Sequence, residues 1–216
     1  MLVLRPADAA ETSVAWKLAV ENKKTPTGLL LSRQNITDLP AKKGSSRYKD
    51  ALEAAKGAYI VKDAEGRPDV ILVGNGSEVS TLFEGSQLLE KEKGLKVRVV
   101  SAPSEGLFRK QPKEYQKSII PDGIPVFGMT AGLPLTLERL VGPNGKVFGL
   151  GHFGYSAPAK VLDEKFGYTG KNVFNQVLDY LKEYEEVFAQ PEPTIINCYA
   201  TSCGACKHMD EDYAKK

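Results

Sequence analysis

No apolar run in this chain approaches membrane-spanning length, so the sequence predicts no transmembrane helix. Its amino terminus offers only Leu2-Val3-Leu4 before Arg5 and Pro6. That is too short for the core of a secretory signal, and the cytoplasm is the expected compartment. No block of a single charge sign occurs either: 29 basic against 27 acidic residues leave a net charge of +2. Composition therefore gives no electrostatic footprint for nucleic acid or an anionic membrane. There are two histidines and three cysteines, the cysteines at 198, 203 and 206. Thiol chemistry is thereby confined to the tail. What remains, 42% hydrophobic and 26% charged over 216 residues, suits a globular protein of one or two domains with a real core.

Leu2 to Leu4 reads as a short strand. Asp8 follows as a helix cap with Glu11 three residues on, resembling a capping box, and the helix runs to about Glu21. Ala10, Val14, Ala15, Leu18 and Ala19 give it one apolar face. The next run, Gly28 to Leu31, is wholly apolar and suits a buried parallel strand. A β-α-β unit standing at residue 1 cannot cover both faces of its own sheet, so it reads as the end of a larger domain. Asp38 to Lys49, with Pro40, Gly44 and paired serines, reads as a linker or surface loop, and the linker between domains is placed at residues 39–56. Beyond them strands are expected at Gly57 to Lys62, Val70 to Val73, Val97 to Ser101, Val126 to Met129 and Val147 to Leu150. Helices are expected at Glu78 to Lys93, stopped by Gly94, and from about Lys171 to Tyr184, whose Val173, Phe174, Val177, Leu178 and Leu181 share a face. The pattern predicts a three-layer α/β/α fold with a largely parallel or mixed sheet, preceded by the truncated β-α-β unit.

Three places could carry chemistry. Thr27-Gly28-Leu29-Leu30-Leu31-Ser32-Arg33-Gln34-Asn35 ends an apolar strand in an arginine. Ligands of α/β sheets lie outside the carboxyl ends of strands, and a guanidinium there can grip two oxygens of a phosphate or carboxylate. The bland alternative is a solvated or ion-paired strand terminus. Gly74-Asn75-Gly76 opens a helix after a strand, as phosphate-binding turns do. Val79 occupies the place of a third glycine, so a tight turn with Ser77 or Asn75 capping the helix is the better reading. His152 sits beside Phe153 and Tyr155 with no visible base, nucleophile or metal partner, and reads as structural. Ser156 is expected to cap a helix begun by Pro158.

Leu4-Arg5-Pro6-Ala7-Asp8-Ala9-Ala10-Glu11-Thr12, the Ser32-Arg33-Gln34 strand end, Gly74-Asn75-Gly76-Ser77-Glu78-Val79, Ser101-Ala102-Pro103-Ser104 and Phe153-Gly154-Tyr155-Ser156-Ala157-Pro158 together resemble the C-terminal part of transketolase, over about Met1 to Tyr184. The resemblance implies that 1–38 ends the family's central, pyrimidine-binding domain, that 39–56 is a linker and that 57–184 is the C-terminal domain. It implies a parent enzyme of the pentose phosphate pathway that moves a two-carbon ketol unit between sugar phosphates, using thiamine diphosphate and a divalent metal, magnesium or calcium. In that family the arginine matching Arg33 contacts the substrate phosphate, with Ser32 and Gln34 as supports. The cofactor site, the metal ligands and the catalytic histidines match positions upstream of Met1. No catalytic residue, cofactor or metal is therefore assigned to this chain, which alone is expected to be inactive. A separate N-terminal transketolase subunit is a candidate partner, and a homodimer a candidate assembly.

Residues 185–216 fall outside the resemblance. Gln190-Pro191-Glu192-Pro193 reads as a stiff linker, and Cys203-Gly204-Ala205-Cys206 resembles the active-site turn of thioredoxin, where helix-start amides lower the first thiol's pKa. Ser202 and Ala205 depart from that family's pattern. Structural zinc wants four ligands, and His208 with Cys203, Cys206 and a distant Cys198 has poor spacing for it. The alternatives to a transketolase piece are thus a small dithiol redox protein acting through Cys203 and Cys206, or a non-catalytic binding module. The bland reading of the tail is an appendage with incidental thiols.

Overall fold

Val70-Ile71-Leu72-Val73 carries apolar side chains on both faces, which only a strand covered on both sides can bury. In the computed structural model, which describes residues 1–188, these residues lie in β4 (Val70–Gly74), the middle strand of a five-stranded sheet. Residues Met1–Tyr184 form one compact unit.

The chain opens with β1 (Leu2–Leu4), α1 (Ala9–Glu21) and β2 (Thr27–Leu29), and β1 and β2 pair in parallel as a separate two-stranded sheet. The capping box forms in a variant way. Asp8 Oδ1 accepts from the Glu11 amide at 2.9 Å, but the Glu11 carboxylate reaches past Asp8 to the Ala7 amide at 2.9 Å. Of the expected face of α1, Ala10, Val14 and Ala15 are buried.

Within residues 39–56, placed as the linker, the second half is helical. There α2 (Arg47–Ala51) runs into a 3-10 turn (Leu52–Lys56). Ser46 Oγ accepts from the Lys49 amide, and Ala51 and Ala54 are buried in the same core cluster as Ala10 and Val14 of α1. Tertiary burial, not local composition, decides this stretch.

The larger sheet has the order β3 (Tyr59–Lys62), β5 (Val97–Ser101), β4, β6 (Val126–Met129), β7 (Lys146–Phe148). Only β3 runs antiparallel. β3 and β4, though consecutive in the chain, are not paired, because β5 lies between them. One face is covered by α3 (Glu78–Lys93) and α8 (Gly170–Phe188), with Val79, Leu82, Leu89, Val173 and Val177 fully buried against Val70, Leu72, Val97, Val99 and Phe127. The other face is covered by α4 (Glu105–Phe108), α5 (Lys113–Ile119) and α6 (Leu135–Val141), through Phe108, Ile119, Leu137, Leu140 and Val141 on Ile71, Val73 and Val100. The short helix α7 (Ala159–Phe166) precedes α8. The predicted three layers are those observed. Gly94 ends α3 at φ 67°, its amide returning to Glu90 and Leu89. Tyr180 of α8 fixes that helix against the sheet: its hydroxyl donates to the Asn144 carbonyl at 2.9 Å and accepts from the Val126 amide at 3.1 Å.

Candidate functional site: an arginine loop held on the sheet domain

From β4 the chain goes to β5 on one side, then returns to β6 on the other. This reversal is the point at which doubly wound sheets open a crevice beyond their carboxyl ends. Here the crevice lies past Gly74 and Met129, and its occupant is a side chain from the first unit. The Arg5 guanidinium donates to Asn75 Oδ1 at 2.5 Å and to Thr130 Oγ1 at 3.2 Å, and pairs with Glu78 Oε2 at 2.5 Å. Glu78 also accepts from the Ala131 amide at 3.0 Å. Gly76, at φ 62°, leaves room for the arginine: a Cβ there would stand 2.8 Å from Arg5 Nε.

The Gly74-Asn75-Gly76 turn is therefore a guanidinium cradle, and its acceptors suit a cation. Neither Ser77 nor Asn75 caps α3, contrary to the sequence expectation. Ser77 makes no cap bond and its hydroxyl donates instead to the Glu78 carboxylate, while Asn75 faces Arg5. Backbone reinforces the junction, since the Arg5 amide donates to Pro103 O and the Gly76 amide to Arg5 O. Beside it opens a cleft of about 780 Å³ lined by Arg5, Asn75, Ser104, Lys110, Thr130 and Thr136 among others.

A second polar cluster lies at the start of α1. Arg47 Nε pairs with Asp8 Oδ2 at 2.5 Å and its Nη2 with Glu11 Oε1 at 3.2 Å, while the Tyr59 hydroxyl donates to Glu11 Oε1 at 2.6 Å. Asp8 and Glu11 are both buried. Burial pushes the Glu11 carboxyl above the usual range, against the pull of the Tyr59 hydroxyl, the Ala7 amide and the Arg47 charge. The Tyr59 hydroxyl is pushed up too, first by burial and then by the Glu11 charge. The signals for this cluster were the acidic pair Asp8 and Glu11 in an apolar helix start and the lone Arg47 ahead of a strand. Their distance in sequence hid the pairing.

Arg33 lies beyond β2, in a bend, and is exposed. Among the described residues it makes no hydrogen bond or ion pair, and neither Ser32 nor Gln34 bonds to it. The preceding strand is shorter than Gly28 to Leu31. It ends at Leu29, and Leu30 and Leu31 are 51% and 52% exposed. A strand with one neighbour, three residues long, has nothing to bury them against.

His152 is exposed, its Nδ1 2.8 Å from the Phe153 carbonyl and its ring 5.5 Å from that of Phe166, on which Tyr155 stacks at 5.6 Å. It is hydrogen-bonded as expected, within an open aromatic patch and not a packed one. Ser156 does not cap α7. Pro158 holds the cap position, with no side-chain bond. Cys203 and Cys206, with the thioredoxin-like reading, lie outside the described residues. Among the described residues no helix is long and apolar enough to cross a membrane, and no three His, Cys, Asp or Glu side chains gather to hold a metal ion.

Comparison with known proteins gives one family. The model of the transketolase-like TK C-terminal domain matches residues 57–169. Transketolase 2 of Vibrio parahaemolyticus is 41% identical over 178 residues, 82% of this chain and 26% of that protein. A Pichia stipitis transketolase structure, described as a complex with xylulose 5-phosphate, superposes with a TM-score of 0.76 at 34% identity, over 85% of this chain and 25% of that one. A chain of a split-gene transketolase, described as an inactive beta4 tetramer, shares the fold at 21% identity and a TM-score of 0.61, over 83% of this chain and 57% of that one. The chain spans about a quarter of the length of the curated relatives it matches. With its mixed five-stranded sheet and this match, the chain belongs to the transketolase-like C-terminal domain family.

Proposed function

We propose that this chain is the C-terminal portion of a transketolase, an enzyme that transfers a two-carbon ketol unit between sugar phosphates, and that its contribution to the site is Arg33. Residues 1–38 then end the central, pyrimidine-binding domain and 57–184 form the C-terminal domain, joined through 39–56. The observation that carries the reading is the family match over one contiguous stretch that amounts to about a quarter of each relative. Its support at the residue level is the exposed Arg33, free of partners among the described residues, just past the carboxyl end of β2. A guanidinium so left can meet two phosphate oxygens at once.

Thiamine diphosphate and its divalent metal, magnesium or calcium, belong in this reading to the upstream part of the enzyme. The described residues do not fit them. No acidic or histidine cluster could take the metal, and the glycine turn that could face a diphosphate presents Asn75 and Glu78 to Arg5. Ketol transfer accordingly needs a partner that supplies the amino-terminal domains, as a separate subunit or a preceding stretch of chain, in a cytoplasmic assembly that can be dimeric.

The purified chain with thiamine diphosphate, magnesium, a ketose phosphate and an aldose phosphate should form no product. A chimera in which residues 1–184 replace the matching segment of a transketolase relative should be active, and Arg33→Ala in it should raise KM for phosphorylated substrates. Turnover that scales with this chain alone, or an inactive but folded chimera, would overturn the reading.

A further inference from the structure

We infer that Asp8 and Arg47 are positioning residues for Arg33, and that they fix the loop carrying it by closing that loop on the β1–α1 junction. The inference rests on the proposed role of Arg33 and goes beyond it. The loop leaves β2 with the Leu30 amide on the Leu4 carbonyl at 2.9 Å. It returns at Leu39, whose amide donates to Asp8 Oδ2 at 3.1 Å, and Asp38 Oδ1 accepts from the Ala9 amide at 3.3 Å. Both ends of residues 30–39 are thus pinned within one short stretch, Leu4 to Ala9, with Arg33 between the pins.

Asp8 is the hub. One oxygen caps α1 through the Glu11 amide, and the other takes both the Leu39 amide and Arg47 Nε. A carboxylate loaded in this way has no freedom to turn, because each oxygen is held by a different donor set. Arg47 in turn is held by Glu11, and Glu11 by the Tyr59 hydroxyl on β3. The sheet domain therefore grips the Arg33 loop through Tyr59, Glu11, Arg47 and Asp8, while Arg5 in its cradle fixes β1, the strand paired with the one on which the loop begins. Leu39 itself is buried in the shared core, so the return point is anchored by packing as well. The loop between the pins is open to solvent, as a phosphate-gripping arginine requires.

Hydrogen exchange on the full chain tests this. In Arg47→Met the amides of Leu30 and Leu39, the two in 30–39 that are hydrogen-bonded, should exchange about tenfold faster or more, while those of β4 and β5 keep their protection. Arg47→Lys, which restores a charge beside Asp8, should recover part of the protection. Asp8→Asn serves as the second variant if Arg47→Met unfolds, since it keeps the side-chain volume, removes the charge and turns one of the two accepting oxygens into a donor that faces another donor. In the active chimera Arg47→Met should raise KM for sugar phosphates about tenfold and leave kcat near its starting value, because displacement of a substrate-gripping group by even an ångström is costly. Unchanged exchange at Leu30 and Leu39 in folded Arg47→Met and Asp8→Asn would overturn the inference. Faster exchange there with an unchanged KM in both Arg47→Met and Arg33→Ala would instead overturn the role of Arg33, so the two failures can be told apart.

Discussion

Replacing Arg5 by methionine should be among the most damaging single changes in the chain. The arginine is 21% exposed and its partner Glu78 only 5%, so Arg5→Met leaves a buried carboxylate with no counter-charge, together with the Asn75 and Thr130 oxygens that faced it. Breaking a buried pair from one side costs about 3–5 kcal/mol. The partial exposure of Arg5 lets water reach Glu78 and puts the expected loss near the lower end, about 3 kcal/mol. In a unit of this size each kcal/mol moves the melting temperature by about 2–4 °C, so a fall of roughly 6–12 °C follows. Thermal unfolding followed by circular dichroism would read it. Adding Glu78→Gln to Arg5→Met removes the stranded charge, so the double variant should melt above Arg5→Met alone. The cradle also predicts chemical rescue: low-millimolar guanidinium chloride should raise the melting temperature of Arg5→Met more than sodium chloride of equal ionic strength, and should not do so in the parent chain. If Arg5→Met melts with the parent, or if guanidinium and sodium act alike on it, the cradle is not what holds the first unit to the sheet.

Gly76→Ala should cost about 1–2 kcal/mol from the left-handed φ of 62° alone, with a further loss from the clash with Arg5, measurable by urea unfolding. For Glu11 the folded carboxyl titrates above its unfolded value. Its contribution to stability is full below the unfolded pKa of about 4.3 and is lost as pH rises through the folded value. The stability of the parent relative to Glu11→Gln should therefore fall between acid and neutral pH. A difference that rises over that range would show the carboxylate to be favoured by the fold. Val3, Trp16, Val20, Leu30 and Leu31 are all at least 41% exposed, and a chain presenting them without upstream cover should associate with rising concentration, as sedimentation velocity would detect.

Where periodicity and punctuation agree, the sequence was sufficient. The bounds of α3, β5 and β6 could be read because an amphipathic run, Gly94 and two apolar runs left no competing register. The end of β2 could not, since a strand's length depends on how many neighbours it has and Thr27–Leu29 has one. The helical character of residues 47–56 was hidden for a related reason: the burial that makes them helical comes from α1. The glycine turn was legible as a turn and illegible as a cradle. Its occupant lies 70 residues away, and only the presence of an acid, Glu78, beside Val79 in a helix start bound for the core hinted that a cation had to come from elsewhere. Arg33 itself was legible as a strand-end cation. Its anchoring through Asp8 and Arg47 was not, because the capping motif explains Asp8 locally and conceals its second use.

The cradle has a consequence for synthesis on the ribosome. Of the acceptors of Arg5, Thr130 follows it by 125 residues. At about 5–20 residues per second that separation is roughly 6–25 s. Throughout that interval Arg5 lacks part of its cradle, because β6, past whose end Thr130 stands, has yet to be made. A nascent chain stalled before β6 should thus present an incompletely seated β1–α1–β2 segment to any holdase at the exit tunnel, and release from it should coincide with the emergence of Thr130.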